Sequence, residues 1–294
     1  MKTLFVVNPV AGRGKCLKIW NNIKYHIKFP FDFVFTQAPG EAVEIAAGAR
    51  NRGFTRVVAV GGDGTICEVG NGLALSDVEM GIIPAGTGND FIRTIGIPQD
   101  PKDALAVLEQ GHTQYIDLGR HEKGFFINVA GVGLDAEVAR ATNEDVKFLS
   151  GTPAYIFALI TTLIHFSPRK AVVEVDGKTY HRKLWLAAVG NASFYGGGMM
   201  ICPDALVDDG LLEVCLVNDM SRLEILRFLP RVFSGGHKSH PAFEVFRGKQ
   251  VKISFEIPTA AHADGDCIGC TPVSFSIMPR ALKVIGNNFT HFRG

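Results

Sequence analysis

A run of small and β-branched apolar residues, Val57-Val58-Ala59-Val60, stops abruptly at Gly61-Gly62-Asp63-Gly64-Thr65. The run has no polar alternation, so it reads as a short strand buried on both faces. Three glycines around one carboxylate let the backbone approach a large ligand and turn its N–H groups outward. Only glycine visits the required backbone conformations without penalty. A strand ending in such a nest and followed by a helix suits a polyphosphate. A plain phosphate nest has no use for an anion. Asp63 makes sense where a divalent cation, or a proton to be moved, stands between it and the phosphates.

Strands and helices alternate through the first 120 residues or so. Strands are predicted at 3–7, 31–36, 57–60, 80–84 and 113–118, with helical spacing at 15–29, 40–52, 65–75 and 103–109. That alternation predicts a doubly wound, mostly parallel sheet, on which ligands sit at the carboxyl ends of the strands. Beyond residue 125 the pattern becomes β-rich, with Gly, Asp and Pro at the turns and helical interruptions near 153–166 and 221–234. This predicts a mainly antiparallel second domain, a sandwich or barrel. The boundaries are placed at 1–122 and 123–280, and the apolar strand after Pro279 returns 281–294 to the first domain.

Two further Gly-rich segments follow strands of the first domain. Asn8-Pro9-Val10-Ala11-Gly12-Arg13-Gly14-Lys15 opens a helix and offers positive charge beside its N-terminus, without P-loop spacing. In Gly86-Thr87-Gly88-Asn89-Asp90, Thr87 can donate its hydroxyl to a phosphate, while Asn89 and Asp90 are natural helix caps. Late in the chain, Asp264-Gly265-Asp266 is either a turn or a source of a carboxylate base for an alcohol acceptor. Asp208-Asp209-Gly210 is a turn or a ligand set for a hard cation.

The chain has 294 residues, of which 47% are hydrophobic and 20% charged, and its net charge is +1. Two domains fit that length, and no global basic field is present to attract nucleic acid. The six cysteines are scattered in mostly apolar contexts, which predicts reduced thiols in a cytoplasmic protein, with Cys267 and Cys270 as two loop cysteines. The longest apolar stretch, 153–166, is too short to span a bilayer.

Taken in order, NPVAGRGK, a lone Thr36 after the second strand, GGDGT, GTGND, PDALVDDGLLEV and the late DG-acid loop resemble the diacylglycerol kinase catalytic-domain family, in its short bacterial lipid-kinase form. Sphingosine and ceramide kinases are longer relatives. The resemblance implies a Rossmann-like N-terminal domain of phosphofructokinase type and a C-terminal β-sandwich, with the active site between them. It also implies ATP-dependent, Mg²⁺-assisted phosphorylation of a lipid hydroxyl. Nucleotide contacts would fall on Asn8, Pro9, Val10, Ala11, Gly12, Thr36, Gly61, Gly62, Asp63, Gly64, Thr65, Glu68 and Thr87. A structural Mg²⁺ would be held at Leu206, Asp209 and Leu211, and the catalytic base would be Asp266. The family usually has Glu at that last position, one methylene longer, so Asp264 is kept as an alternative base.

A lipid acceptor calls for an apolar slot, for which 194–200 (FYGGGMM) and 153–166 are the candidates. Arg222, Arg227, Arg231, His237, Lys238 and His240 form a basic cluster suited to acidic headgroups. These features imply peripheral contact with the inner face of the membrane, and exposed edge strands are compatible with a homodimer. Two rival readings stay open: an NAD kinase, which shares GGDGT, and a catalytically idle nucleotide- or lipid-binding regulator.

Overall fold

The computed structural model describes residues 2–144 and 152–287, apart from the side chains of 142–144 and 152–155. The chain divides into two compact units. The first holds residues 2–118 and 279–287, and the second holds 119–278. The residues of the 281–294 call beyond 287 lie outside the described ones.

The first unit runs β1 (Thr3–Val7), α1 (Lys15–Ile23), β2 (Phe31–Phe35), α2 (Glu41–Ala49), β3 (Arg56–Gly61), α3 (Asp63–Leu73), β4 (Glu79–Pro84), α4 (Asp90–Thr94), α5 (Pro101–Gln110) and β5 (Thr113–His121). Strands β2, β1, β3 and β4 lie side by side and parallel, as the alternating pattern predicts. Every residue of β1 and β3 is buried, which is why neither strand shows polar alternation. Helix α1 stops at Ile23 and continues as a 3-10 turn over Lys24–His26, short of the predicted end at 29.

The second unit holds β6 (Gly124–Phe126), β7 (Val129–Gly133), α6 (Leu134–Glu144), α7 (Thr152–His165), β8 (Arg169–Val175), β9 (Lys178–Gly190), β10 (Leu212–Asn218), α8 (Arg222–Val232), β11 (Phe243–Gly248), β12 (Gln250–Phe255), β13 (Ala260–Ala263), β14 (Asp266–Cys270) and β15 (Val273–Ile285). Pairing within it is antiparallel, and β9 is the hub. Its first half pairs with β8, and its second half lies between β7 and β10. The last residues of β15 belong to the first unit, where they pair in parallel with β4.

Both faces of the second unit's sheet are covered. On β10, Leu212, Val214 and Leu216 enter a core made by strands alone, while Cys215 and Val217 enter a second core roofed by α6, α7 and α8. The period-2 geometry of a strand assigns the two sets. Helix α6 and strands β11, β13 and β14 are additions to the predicted elements, and β14 places Cys267 and Cys270 on a strand rather than on a loop.

Candidate active site

In the first unit, three glycine loops meet at the carboxyl ends of the parallel strands. A Cβ on Gly86 would stand 2.5 Å from the Cα of Gly62, and one on Gly12 would stand 2.3 Å from the carbonyl oxygen of Ala85. The loops therefore pack backbone against backbone, at distances only glycine permits. Gly12 also has φ +57. Below the nest, the Asn8 amide donates to Thr65 Oγ1 at 3.0 Å, and a Cβ on Gly61 would meet that same oxygen at 2.4 Å. No side chain caps α1 or α3, so their first-turn N–H groups face the loops without an internal acceptor from a cap. Such helix ends favour an anion. Thr87 is exposed on its loop, Val10 projects into solvent, and Thr36 is buried at the end of β2.

The carboxylates of this unit have structural tasks that their sequence positions do not disclose. Asp63 Oδ1 accepts from the N–H groups of Asp90 (2.8 Å) and Phe91 (3.4 Å), so it caps α4 and locks GGDGT to GTGND. Burial raises its pKa above the usual carboxylate value, with those N–H donors opposing. Asn89, expected to cap α4, makes no cap hydrogen bond; its amide donates instead to the Gly86 carbonyl. Glu68, expected at the nucleotide, has a structural task as a helix cap. Its two oxygens accept from Gly40 N–H (3.0 Å) and Ala42 N–H (3.2 Å) at the start of α2.

The packing of the loops makes a direct prediction. Gly86→Ala forces its methyl against Gly62 and is expected to lower stability by about 1–3 kcal/mol, the usual cost of overpacking. Gly64, with no atom within 4 Å of its would-be Cβ, provides the control: Gly64→Ala should not show that clash. Thermal melting of the two variants checks this.

In the second unit, the two aspartates of the DGD loop part company. Asp264 accepts backbone N–H groups from Ile127 (2.7 Å), Asn128 (2.9 Å) and Val129 (3.2 Å). Its carboxylate thereby holds the entry to β7, a structural task beside its reading as an alternative base. Asp266, at the start of β14, is exposed. Partial desolvation raises its pKa, opposed by the charge of nearby His262. His262 is buried, with Nε2 at 3.4 Å from Asp135 Oδ2, and its Nδ1 accepts from Gly265 N–H at 3.3 Å. Gly131 must lack a side chain here, since a Cβ would fall 1.9 Å from Asp135 Oδ2. No feature of the sequence had drawn attention to Asp135 or His262.

The Tyr195 ring stacks parallel to His262 with centroids 6.4 Å apart. Tyr195 and Met199 of the glycine-rich loop also line an apolar cavity of about 60 Å³, together with Leu159 of α7 and Ile225, Phe228 and Leu229 of α8. Among the described residues Asp135 is the one carboxylate on its wall. Both segments expected to line an apolar slot thus contribute to it.

The proposed metal segment does not fit a cation as it stands. Asp209 pairs with the Arg247 guanidinium, and its other oxygen accepts Leu211 N–H at 3.0 Å, so the charge meant for the metal is already neutralised. Leu206 and Leu211 would contribute backbone carbonyls only. Among the described residues no group of three or more His, Cys, Asp or Glu could hold a metal ion. The basic cluster is also reduced. Arg222 donates to the carbonyls of Leu163 (2.8 Å) and Phe166 (2.9 Å), capping α7. His237 is fully buried and its pKa is lowered by desolvation, so it carries no surface charge. Lys238 pairs with Asp204.

Residues 2–121 match the family model described as diacylglycerol kinase catalytic domain, and residues 128–286 match the YegS C-terminal NAD kinase beta sandwich-like domain. A diacylglycerol kinase of Mycobacterium tuberculosis is 33% identical over 295 residues, covering 97% of this chain and 94% of that protein. A diacylglycerol kinase of Bacillus subtilis is 30% identical over 253 residues, covering 85% and 84%. Among solved structures, a chain assigned as a diacylglycerol kinase from Bacillus anthracis superposes with a TM-score of 0.80 at 25% identity, covering 97% of each chain. Two family models in tandem and relatives aligned over nearly the whole length agree with the glycine loops and the β-rich second unit: the chain belongs to the diacylglycerol kinase catalytic-domain family, of the short bacterial lipid-kinase type, and is a kinase.

Proposed function

We propose that the chain is an ATP-dependent lipid kinase that phosphorylates the free hydroxyl of diacylglycerol or a similar lipid at the inner face of the membrane. One observation carries the lipid half of this reading: an apolar cavity whose single carboxylate, Asp135, pairs with the histidine beside Asp266. A soluble dinucleotide would find few polar partners on such a wall. The cavity as it stands has room for a few water molecules. Admitting an acyl chain therefore requires side chains of α7 and α8 to move aside.

ATP supplies the phosphoryl group. The loops at Asn8–Gly12, Gly61–Thr65 and Thr87 are assigned to its phosphates, with Thr36 at the edge of the same strand ends. Asp63 acts by holding two of those loops together. Magnesium is assigned to the nucleotide that carries it rather than to Asp209. Asp266 accepts the hydroxyl proton as the lipid oxygen attacks, and positioning does most of the rest.

The NAD kinase likeness in the description of the second domain keeps one rival in view. Purified protein is to be incubated with ATP, magnesium and either dioctanoylglycerol or NAD, and ADP release followed. Turnover with the glyceride alone is expected. Turnover with NAD alone would replace the reading, and ATP binding without ADP release on either acceptor would favour an idle regulator.

A further inference from the structure

We propose that the outward faces of α7 and α8 are the surface by which this chain docks on an anionic lipid bilayer. The observation is a clustering. Of twelve large apolar side chains left exposed among the described residues, five lie on these two helices: Phe157, Ile160, Ile164, Leu223 and Leu226. Scattered exposed apolar residues are ordinary, whereas a contiguous set marks an interaction surface.

The helical spacing shows that the exposure is not a by-product of packing. On α7, Ala158, Leu159 and Leu163 are buried, whereas Phe157, Ile160 and Ile164, spaced three and four apart, face out. On α8, Phe228, Leu229 and Val232 turn toward the cavity, while Leu223 is 79% exposed. Each helix is thus apolar on two sides, and only one side has a protein partner. Arg222 fastens the helices together by bonding the carbonyls at the end of α7 while its guanidinium lies over the Trp185 ring. The two outward stripes therefore belong to one surface.

Charge selects the occupant. Arg227 and Arg231 stand exposed on α8, and among the described residues no acidic group is bonded to either. Arg231 lies over the Phe228 ring, which leaves its charge outermost. Glu224, the acidic residue on this helix, is used in the capping box with Ser221. An apolar stripe flanked by arginines matches the boundary between acyl chains and anionic headgroups. No helix among the described residues is long and apolar enough to cross a membrane, so α7 and α8 would lie on it. The proposal depends on the lipid-kinase reading only for the reason such a surface exists.

The test is co-sedimentation with phosphatidylcholine vesicles made with and without phosphatidylglycerol. Wild-type chain is expected to bind the anionic vesicles. The double variant Ile164→Glu/Leu223→Glu should weaken binding at least ~10-fold, since each apolar side chain withdrawn from lipid costs a sizeable transfer free energy. Arg227→Gln/Arg231→Gln should weaken it about tenfold and remove the preference for phosphatidylglycerol. Both variants should turn over dihexanoylglycerol dispersed in water at the wild-type rate, which separates lost docking from lost catalysis. As a second measurement, Leu223→Trp should shift its emission to the blue when vesicles are added. Unchanged binding of the double glutamate variant, or an unshifted tryptophan, overturns the proposal. So does a wild-type dimer that the glutamates convert to monomer, because the face would then belong to a second copy. Absence of turnover on dihexanoylglycerol, by contrast, counts against the kinase reading and leaves the vesicle result to decide the docking surface.

Discussion

Asp266→Asn is expected to lower turnover at least ~10²-fold, the scale of a lost general base. Nucleotide affinity and melting temperature should stay near wild type. The expectation rests on how differently the structure treats the two aspartates of one loop. Asp264 has three backbone N–H donors and a positive φ of 49°, so it organises the chain around it. Asp266 is exposed, and the partner that acts on it is His262. A carboxylate with unspent lone pairs and a pKa raised by desolvation is the better proton acceptor of the two. The base must be ionised, so kcat/KM should fall on the acid side, with a limb displaced upward from the ordinary aspartate value. That limb should vanish in Asp266→Asn. Asp264→Asn should instead lower the melting temperature, because the N–H groups of Ile127, Asn128 and Val129 would lose a charged acceptor. Asp266→Glu restores a carboxylate with one more methylene and should keep turnover within about tenfold of wild type. Near-normal turnover of Asp266→Asn would remove this residue from the mechanism.

The glycine loops were legible in the sequence because their signal is local. Each follows an apolar strand, and a parallel sheet brings all its strand ends to one edge whatever the loops contain. Partner choice among the carboxylates is tertiary, and spacing carries no trace of it. Glu68 caps a helix that begins 27 residues earlier, Asp264 binds backbone more than 130 residues away, and Asp209 is taken by Arg247. Arg222 looked like a surface cation because its acceptors, the last carbonyls of α7, are backbone atoms that no sequence displays. Helix α6 follows a glycine-rich strand and carries a mixed polar pattern, so nothing in LDAEVARATNE announces that it supplies Asp135. Antiparallel pairing in the second unit was foreseen from the turn residues. The hub role of β9 was not, since it depends on which strands flank its second half.

Glu213 makes the second large prediction. It lies on β10 between Leu212 and Val214, and period-2 geometry turns it toward the helix-roofed core with Cys215. It is 1% exposed, and among the described residues neither carboxylate oxygen has a partner within ordinary hydrogen-bond geometry, although the backbone N–H of Asp204 is near enough to act on it. Burial, with the nearby charge of Asp204 adding to it, pushes its pKa from 4.5 up to about 7, while the backbone N–H of Asp204 and the charges of Lys238 and Arg247 pull the other way. The folded state therefore holds this proton at pH values where the unfolded chain has released it. Stability contributed by the protonated form is fully present below pH 4.5 and is lost as pH rises through about 7. The full swing is about 3 kcal/mol, at 1.36 kcal/mol per pH unit of displacement. Denaturant unfolding of the wild-type chain should show it as a decline between mildly acid and mildly alkaline buffer. Glu213→Gln, close in shape and unable to ionise, should flatten that decline. At alkaline pH it should be the more stable protein, and near pH 4.5 the two should converge. Parallel stability curves for wild type and variant across this range would mean that Glu213 ionises in the folded chain as it does in water, and that its burial is relieved by water or a cation reaching the carboxylate.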